Sequence, residues 1–293
     1  MTELTLIVRY LSWFLLASSM FLAGLYLKPH DLRMAAKRYK LISKALIANA
    51  IIIPLIGLGL YEITPMSPSV QVAFLMVTFS FGIPLVLNFV KGMRANVPFA
   101  TVLVFVLAIT TALTMPILLR LVLPVDFSAF RTFIFVILFI VLFQLIPLVI
   151  GLILGDSGTI RRYLLRPLGI LTASAGAALL GLVVIAGLAG IAKVGVWPPL
   201  SMVVLTVSSL AVGWIFGGPE LIDRKVLAVN SALRNFPIGM LLATTIFADT
   251  VDAIGVAVFA AIMILSVLIF SRFASRLKSR TEKTVNAEPL KGG

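Results

Sequence analysis

The sequence predicts an all-α polytopic membrane protein with nine transmembrane helices in a single domain. Of its 293 residues, 61% are apolar and 12% are charged, and the mean hydropathy of +1.15 is far above that of a soluble domain. A spanning helix needs about 20 mostly apolar residues. Stretches of this kind lie at residues 5–27, 41–61, 70–90, 97–121, 128–154, 164–190, 198–216, 226–247 and 253–271.

The basic residues lie between these stretches and predict the orientation of the helices. If consecutive stretches alternate in direction, 19 of the 24 Lys and Arg residues fall on one side of the membrane, and Arg234 belongs to neither side. The positive-inside rule then places the N-terminus outside and the C-terminus in the cytoplasm. The opposite side holds only Arg9, Arg120, Arg131 and Lys193.

Partners and location follow from the same distribution. The net charge of +13 does not indicate a nucleic-acid partner, because the cations flank apolar runs instead of forming one soluble face. The lipid bilayer is the expected partner, and the sequence leaves the oligomeric state open. The start of the chain shows no signal peptide, so we expect the first helix to be retained. Short loops and a high arginine content are typical of a bacterial cytoplasmic membrane.

Side chains that carry enzymatic chemistry are scarce. There is no cysteine, and the one histidine, His30, lies in a charged loop, so thiol, zinc and histidine chemistry are not expected. An intramembrane enzyme would need aspartate clusters or a Ser–His pair at depth. We therefore expect neither an enzyme nor a cofactor. All acidic residues are predicted in loops or tails: Glu3, Asp31, Glu62, Asp126, Asp156, Glu220, Asp223, Asp249, Asp252, Glu282 and Glu288. Pumps driven by protons or sodium usually have a carboxylate within a span.

Two apolar stretches carry helix-breaking residues in their middle. The third contains Gly82, Pro84 and Asn88, and the eighth contains Pro237 and Gly239. A proline cannot donate to the carbonyl four residues earlier, so both helices should bend or unwind. In hydrocarbon such breaks are tolerated mainly where they face protein or a wet cavity. A plain proline kink, as expected at Pro54, Pro116 and Pro147, is the alternative for either stretch.

The positions of the two breaks indicate an inverted repeat. Asn88 and Asn235 lie about half a chain apart, in helices predicted to run in opposite directions, as two crossed discontinuous helices require. The N-termini of the half-helices would then point at the bilayer midplane and offer backbone N–H groups to an anion.

Arg234 is the most unusual residue at this depth. It follows Lys225 by nine residues, which places it about 14 Å into the bilayer, where a charge costs at least about 2.5 kcal/mol. It either binds carbonyls of the broken helix as structural glue, or faces a cavity, where it meets an anionic substrate or replaces a coupling cation. Most other polar residues at mid-span are expected to bond neighbouring helices, and Ala177 and Gly181 predict a packing surface instead of a site.

Three segments carry a resemblance to the bile acid:sodium symporter family. FLAGLYLKPHDL, followed by LIANAIIIP, resembles that family's Gly-Leu-x-Leu-Lys-Pro-x-Asp and Gln-x-x-x-x-Pro segments. FGIPLVLNFVKGMRANV resembles its Pro-Gly-Gly…Ser-Asn…Ala-Arg-Gly-Asn-Val run, and ALRNFPIGMLLA resembles Gly-Met-Gln-Asn-Ser-Gly-Leu-Ala. The chain is identified as a divergent nine-helix member of the family, lacking the first helix of the ten-helix members.

The resemblance implies a panel of helices and a core with two crossed broken helices, which carry organic anions by alternating access, typically with sodium. The first repeat would comprise residues 1–126, the second 127–276, and a cytoplasmic tail 277–293. The positions of the family's sodium ligands are occupied by Leu87, Asn88, Ala100, Val104, Asn49, Asn230 and Arg234. Several hydroxyls and one carboxylate are therefore lost and a positive charge is gained, which argues against sodium coupling.

The expected function is secondary active or facilitative transport of a small organic anion without sodium, with Arg234 replacing a coupling cation. The expected substrate-binding residues are Arg234, Asn235, Asn88, Asn49 and Asn230, and the helix breaks are expected at Gly82, Pro84, Pro237 and Gly239. Two alternatives remain. One is a transport-inactive sensor or structural relative, and the other is a sodium-coupled symporter whose ion sites are built from backbone oxygens.

Overall fold

A computed structural model describes residues 3–122, 130–247 and 253–277, and every regular element in these ranges is helical. Apolar runs form helices in a membrane because a helix satisfies its backbone hydrogen bonds internally. The helices are α1 (Glu3–Tyr26), α2 (Pro29–Ala36), α3 (Tyr39–Ile47), α4 (Ile53–Ile63), α5 (Pro68–Phe79), α6 (Val86–Gly92), α7 (Val97–Val122), α8 (Phe130–Ile140), α9 (Ile146–Gly155), α10 (Gly158–Val194), α11 (Trp197–Phe216), α12 (Leu221–Ala232), α13 (Phe236–Thr245) and α14 (Ala253–Arg276).

Eight spans within the described ranges are long and apolar enough to cross a membrane. They coincide with eight of the nine predicted stretches, so the all-α polytopic class is confirmed. The third stretch is instead divided between α5, with 12 residues, and α6, with 7 residues. Neither piece alone reaches across a hydrocarbon layer of about 30 Å. The count of nine spans therefore stays a prediction.

Two of the predicted proline kinks take the form of π-helical turns. The turn Ala48–Ile52 precedes Pro54, and the turn Val141–Leu145 precedes Pro147. An extra residue per turn relieves the missing N–H of the proline and bends the helix. Each turn holds one fully buried amide side chain, Asn49 or Gln144. The π-turns join α3 to α4 and α8 to α9 as two continuous spans.

Three spans form a layer that we call the panel: α1, α8–α9 and α10. The backbones of α1 and α9 touch through Gly24 and Gly151. A Cβ on Gly24 would lie 2.2 Å from the carbonyl oxygen of Leu148, and a Cβ on Gly151 would lie 2.1 Å from that of Phe21. Small residues of this kind allow close helix contact where no hydrophobic effect drives association.

The remaining helices, α2–α7 and α11–α14, form the second layer, which we call the core. The most apolar stretch of the Leu221–Thr245 span, which comprises α12 and α13, is buried throughout. Its neighbours α5 and α14 pack through stacked rings of Phe74 and Phe259, whose centroids lie 5.5 Å apart. Because protein surrounds this span, it can carry polar residues that a lipid-facing helix could not.

The prediction that all acidic residues lie in loops or tails was wrong for four of them, since Glu3, Asp31, Glu62 and Asp223 lie in helices. Asp223, in the first turn of α12, is also buried. Its carboxylate accepts hydrogen bonds from the guanidinium of Arg38, one of them 3.0 Å long. The burial of Asp223 could not be predicted because its partner, the partly exposed Arg38, belongs to the segment between α2 and α3, far away in sequence. We call this end of the molecule, which also carries Lys28, Lys91 and Arg224, the basic end.

Several predictions fall on residues outside the described ranges. These are the predictions for Asp126, Asp249, Asp252, Glu282 and Glu288, for the side chain of Arg131, and for residues 278–293 of the predicted tail. The boundary between the two predicted repeats, at residues 126 and 127, also lies there.

At the end opposite the basic end, the guanidinium of Arg9 in α1 donates to the carbonyl of Thr244 in α13. The two helices therefore run in opposite directions, as their predicted alternation requires.

Candidate functional site

The first helix break follows directly from Gly82 and Pro84. Helix α5 ends at Phe79, and residues 80–85 are not helical before α6 begins. Gly82 has φ +80°, and a Cβ there would lie 2.5 Å from the backbone nitrogen of Ala108 in α7. Only glycine adopts this conformation without strain and allows α7 to come so close. The break predicted in the third stretch is thus present.

The second break separates α12 from α13. Helix α12 ends at Ala232, Leu233 is extended with ψ 103°, and Pro237 lies in the first turn of α13. Proline suits that position because the N–H groups of a first turn have no helical partner. Gly239 lets α13 lie close to α5, since a Cβ there would lie 3.2 Å from a methyl carbon of Val77. The sequence placed this break correctly.

The two breaks are bonded to each other. The backbone N–H of Asn235 donates to the carbonyl of Ser80 at 3.1 Å. In return, the single proton of the Ser80 hydroxyl is shared between the carbonyl of Asn235 at 3.2 Å and the carbonyl of Val77 in α5 at 3.0 Å. The carbonyl of Ser80 is free for this bond because Pro84 has no N–H to offer it. The crossing of two broken helices is therefore held by backbone groups that the breaks themselves release.

Two neighbouring side chains complete the crossing, and the sequence reasoning did not single them out. The hydroxyl of Thr111 in α7 bonds both backbone groups of Phe81, accepting from its N–H at 2.9 Å and donating to its carbonyl at 2.8 Å. Gln144 donates to the carbonyl of Ala108 at 2.6 Å and accepts from the amide of Asn235 at 3.4 Å. The sequence offered one signal for Gln144, because its amide lies in an apolar run three residues before Pro147.

Arg234 lies inside the second break, with 1% of its surface exposed. None of its three guanidinium nitrogens has a hydrogen-bond partner within residues 3–122, 130–247 and 253–277. The guanidinium carbon lies 5.9 Å from the ring centroid of Phe81, on the other broken helix. The side chain is thus next to the crossing, and neither carbonyls nor carboxylates of the described chain neutralise it.

Three buried amide side chains lie in or beside the second break: Asn49 in the π-turn Ala48–Ile52, Asn230 in α12 and Asn235 just before α13. Asn49 donates to the carbonyl of Ala45 at 2.9 Å and to the hydroxyl of Ser231 at 3.1 Å. Asn230 donates to the carbonyl of Val226 at 3.1 Å. The amide oxygens of Asn49, Asn230 and Asn235 are buried and accept no hydrogen bond from the described residues. The unpaired donors of Arg234 and the unpaired acceptors of the three asparagines therefore lie in the second break and on the elements next to it.

A cavity of about 350 Å³ lies between the panel and the first turns after both breaks. The panel contributes residues of α1 and α10, including Tyr26 and Thr172, and the hydroxyl of Thr172 has no partner in the described residues. The core contributes Ile83, Pro84, Leu85, Leu87, Asn88, Lys91, Phe236 and Pro237. The wall is mostly apolar, with a few polar groups at defined points, as in small-molecule sites.

The predicted site residues divide into two groups. Asn88 and Leu87 reach the cavity, whereas Arg234, Asn235, Asn49 and Asn230 do not line it and are buried beside the crossing. The prediction for Ala177 and Gly181 was wrong: Ala177 lines the cavity, and a Cβ on Gly181 would meet no atom within 4 Å. Small residues of α10 here make room for a cavity instead of a helix contact.

The other predicted ion-site positions are apolar. Ala100 and Val104 are fully buried on α7, and Leu87 is 8% exposed. None of these side chains has an oxygen that could bind a hard cation. The described ranges also hold no group of three or more His, Cys, Asp or Glu residues that could bind a metal ion.

Comparison with known protein families gives a match to a family of membrane transporters. Residues 13–194, from α1 to the end of α10, match the model of the sodium bile acid symporter family. The matched segment is well over half of the chain, and it includes the first break and its crossing partners Thr111 and Gln144. No curated protein matches the chain significantly.

Proposed function

Because the chain belongs to the sodium bile acid symporter family, we propose that it carries a small organic anion by alternating access without sodium coupling. It is a multi-pass membrane transporter of the bile acid symporter type. The observation that carries the proposal is the buried guanidinium of Arg234 beside the crossing, at the position where the family would bind a cation.

The cavity supports an organic anion as the substrate. Its apolar wall suits a hydrocarbon body, and its volume of about 350 Å³ is near the lower end for small-molecule sites, so the substrate would be small. Lys91 at the basic end lies with its ammonium 5.6 Å from the ring centroid of Tyr26 and supplies the positive charge. Asn88 and Thr172 are the neutral polar groups that would orient the substrate.

The charge of Arg234 argues against sodium. Two unit charges 4 Å apart repel by about 4 kcal/mol at an effective dielectric constant of 20. The substitution of hydroxyl ligands by Leu87, Ala100 and Val104 removes oxygen atoms that would offset this repulsion. A permanently tethered charge favours uniport, exchange or coupling to protons as the mode of transport. Asn235 would then act on the substrate indirectly, through its bonds to Ser80 and Gln144 at the crossing. Arg234, Asn49 and Asn230 would act indirectly as well, from buried positions beside the crossing.

We place the basic end in the cytoplasm and the N-terminus outside, by the positive-inside rule. A bacterial cytoplasmic membrane suits the short loops between the spans. In this orientation the cavity wall that includes Lys91 and Tyr26 lies toward the cytoplasm, and the contact of Arg9 with Thr244 lies on the outer side.

Uptake by reconstituted proteoliposomes tests the proposal. The assay compares sodium with choline as the external cation for radiolabelled taurocholate and a series of shorter carboxylates. We expect saturable uptake of at least one carboxylate at equal rates in both cations. Strict dependence on sodium would refute the proposed mode. Saturable binding without flux would instead identify a transport-inactive relative.

A further inference from the structure

We propose that Arg234 is the anchor of a buried binding site for a compact monovalent anion, such as chloride, at the crossing of the broken helices. The inference rests on the proposed function only for the position of this site within a transporter, and not for the binding itself. Three observations carry it: the complete burial of the guanidinium, the missing partners of its nitrogens, and the nature of the groups around it.

The first step is the energetic state of the guanidinium. With 1% of its surface exposed, Arg234 cannot be hydrated by bulk solvent. Its three nitrogens donate to no atom of the described residues. An isolated buried cation is among the least tolerated groups in a protein interior, and buried charges are paired or bind ions. Such an orphaned group is explained by strain, by a functional role or by a bound ion or water.

The second step separates a neutral acceptor from a charged one. The amide oxygens of Asn49, Asn230 and Asn235 are buried acceptors without a donor, and water molecules could join them to the guanidinium. Water and amides would satisfy hydrogen bonds, yet they would leave the unit charge uncompensated. The Phe81 ring face, 5.9 Å away, contributes only a weak attraction to a cation. A monovalent anion supplies the missing charge and accepts several N–H bonds.

The third step concerns the size of the anion. Arg234 is 1% exposed and does not line the large cavity, and the ring centroid of Phe81 lies 5.9 Å from its guanidinium carbon. A compact ion can share so confined a position, whereas an anion of the size of gluconate cannot. Chloride and a small carboxylate such as acetate share the required chemistry, and the experiment distinguishes them.

The experiment measures the melting temperature of the purified chain in detergent, without sodium and without transport substrate. Potassium gluconate is replaced stepwise by potassium chloride or potassium acetate at constant ionic strength. A ligand that binds only the folded state stabilises it by mass action. We expect a saturable rise of about 2 °C or more in chloride, acetate or both. A rise in chloride alone identifies an inorganic-anion site, and a rise in acetate alone identifies a carboxylate site.

Two variants assign the effect to Arg234. Arg234→Gln keeps hydrogen-bond donors and removes the charge, so the anion-dependent rise should be lost. Arg120→Gln removes an exposed arginine from the end of α7 and should keep the full rise. If the first variant cannot be purified, equilibrium dialysis of the unmodified chain against radioactive chloride and acetate measures binding directly.

Equal melting temperatures in gluconate, chloride and acetate, together with no bound label, would overturn the anion site. An anion effect that persists in Arg234→Gln would also overturn it. Because the experiment uses neither sodium nor substrate, its failure leaves the sodium-independent transport to be judged by the uptake assay alone.

Discussion

Ser80 and Asn235 are joined by two hydrogen bonds, one from the backbone N–H of Asn235 to the carbonyl of Ser80 and one from the hydroxyl of Ser80 to the carbonyl of Asn235. They lie 155 residues apart in the chain, each at the point where its helix breaks. The pair converts two separate defects in apolar helices into one fixed junction. This junction positions both Arg234 and the cavity-facing first turn of α13.

Replacing Ser80 by alanine tests the side-chain half of the junction. The substitution removes the hydroxyl bond that is shared between Asn235 and Val77 and leaves the backbone bond, and we expect a loss of about 1 kcal/mol in unfolding free energy. The melting temperature of purified Ser80→Ala, compared with wild type, measures it. Ser275→Ala is the matched control, because the exposed Ser275 bonds only its own helix. Equal losses in the two variants would contradict the role of the junction.

Gly82→Ala should severely impair folding. The added Cβ would lie 2.5 Å from the backbone of Ala108, and the φ of +80° disfavours any side chain. We expect little monodisperse protein in size-exclusion chromatography after detergent extraction. Gly181→Ala, where a Cβ meets nothing within 4 Å, should express like wild type. Normal folding of Gly82→Ala would show that α7 does not lie so close.

The close contact between α1 and α9 in the panel gives a third prediction. Gly151→Ala would press a Cβ to within 2.1 Å of the carbonyl oxygen of Phe21, so α1 and α9 must separate. We expect a loss of about 1 to 3 kcal/mol, as for other overpacked positions, measured by thermal unfolding. Gly59→Ala on α4 meets no atom within 4 Å and serves as the control. An unchanged melting temperature for Gly151→Ala would exclude the close contact.

Removing either partner of the ion pair between Arg38 and Asp223 should cost a different amount of stability. Asp223 is almost fully buried, whereas 31% of the Arg38 side chain is exposed. Arg38→Ala leaves a buried carboxylate without its partner and should cost more stability than Asp223→Ala, which leaves a partly hydrated guanidinium. The double variant should be more stable than Arg38→Ala alone. Thermal unfolding of all three variants tests this order, and the reverse order would place Asp223 in contact with water.

The sequence predicts the class of fold and both breaks because these depend on local chemistry. Apolar runs near 20 residues specify the spans, and Gly82, Pro84 and Pro237 act on the backbone where they stand. The partners across the crossing could not be predicted. Which carbonyl accepts from Asn235, and whether Arg234 faces the cavity, depends on how α5, α7 and α13 pack in three dimensions.

The burial of Asp223 likewise depends on a partner that is distant in sequence. A charged residue beside an apolar stretch is expected in a loop, but Arg38, distant in sequence, allows it to be buried inside a helix. Likewise, Ala177 and Gly181 are spaced as in a helix contact, yet α10 turns this face partly toward the cavity. Local spacing identifies the face of a helix and does not identify what lies opposite.

The most direct test of Arg234 as the replacement for a coupling cation is the cation dependence of uptake in three matched proteoliposome preparations. One contains the unmodified chain, one contains Arg234→Gln, and one contains Arg120→Gln as the control for loss of an exposed arginine. We expect equal uptake by the unmodified chain in sodium and in choline, and a loss of at least about tenfold in Arg234→Gln. Sodium-dependent uptake by the unmodified chain, or full activity of Arg234→Gln in choline, would contradict this role.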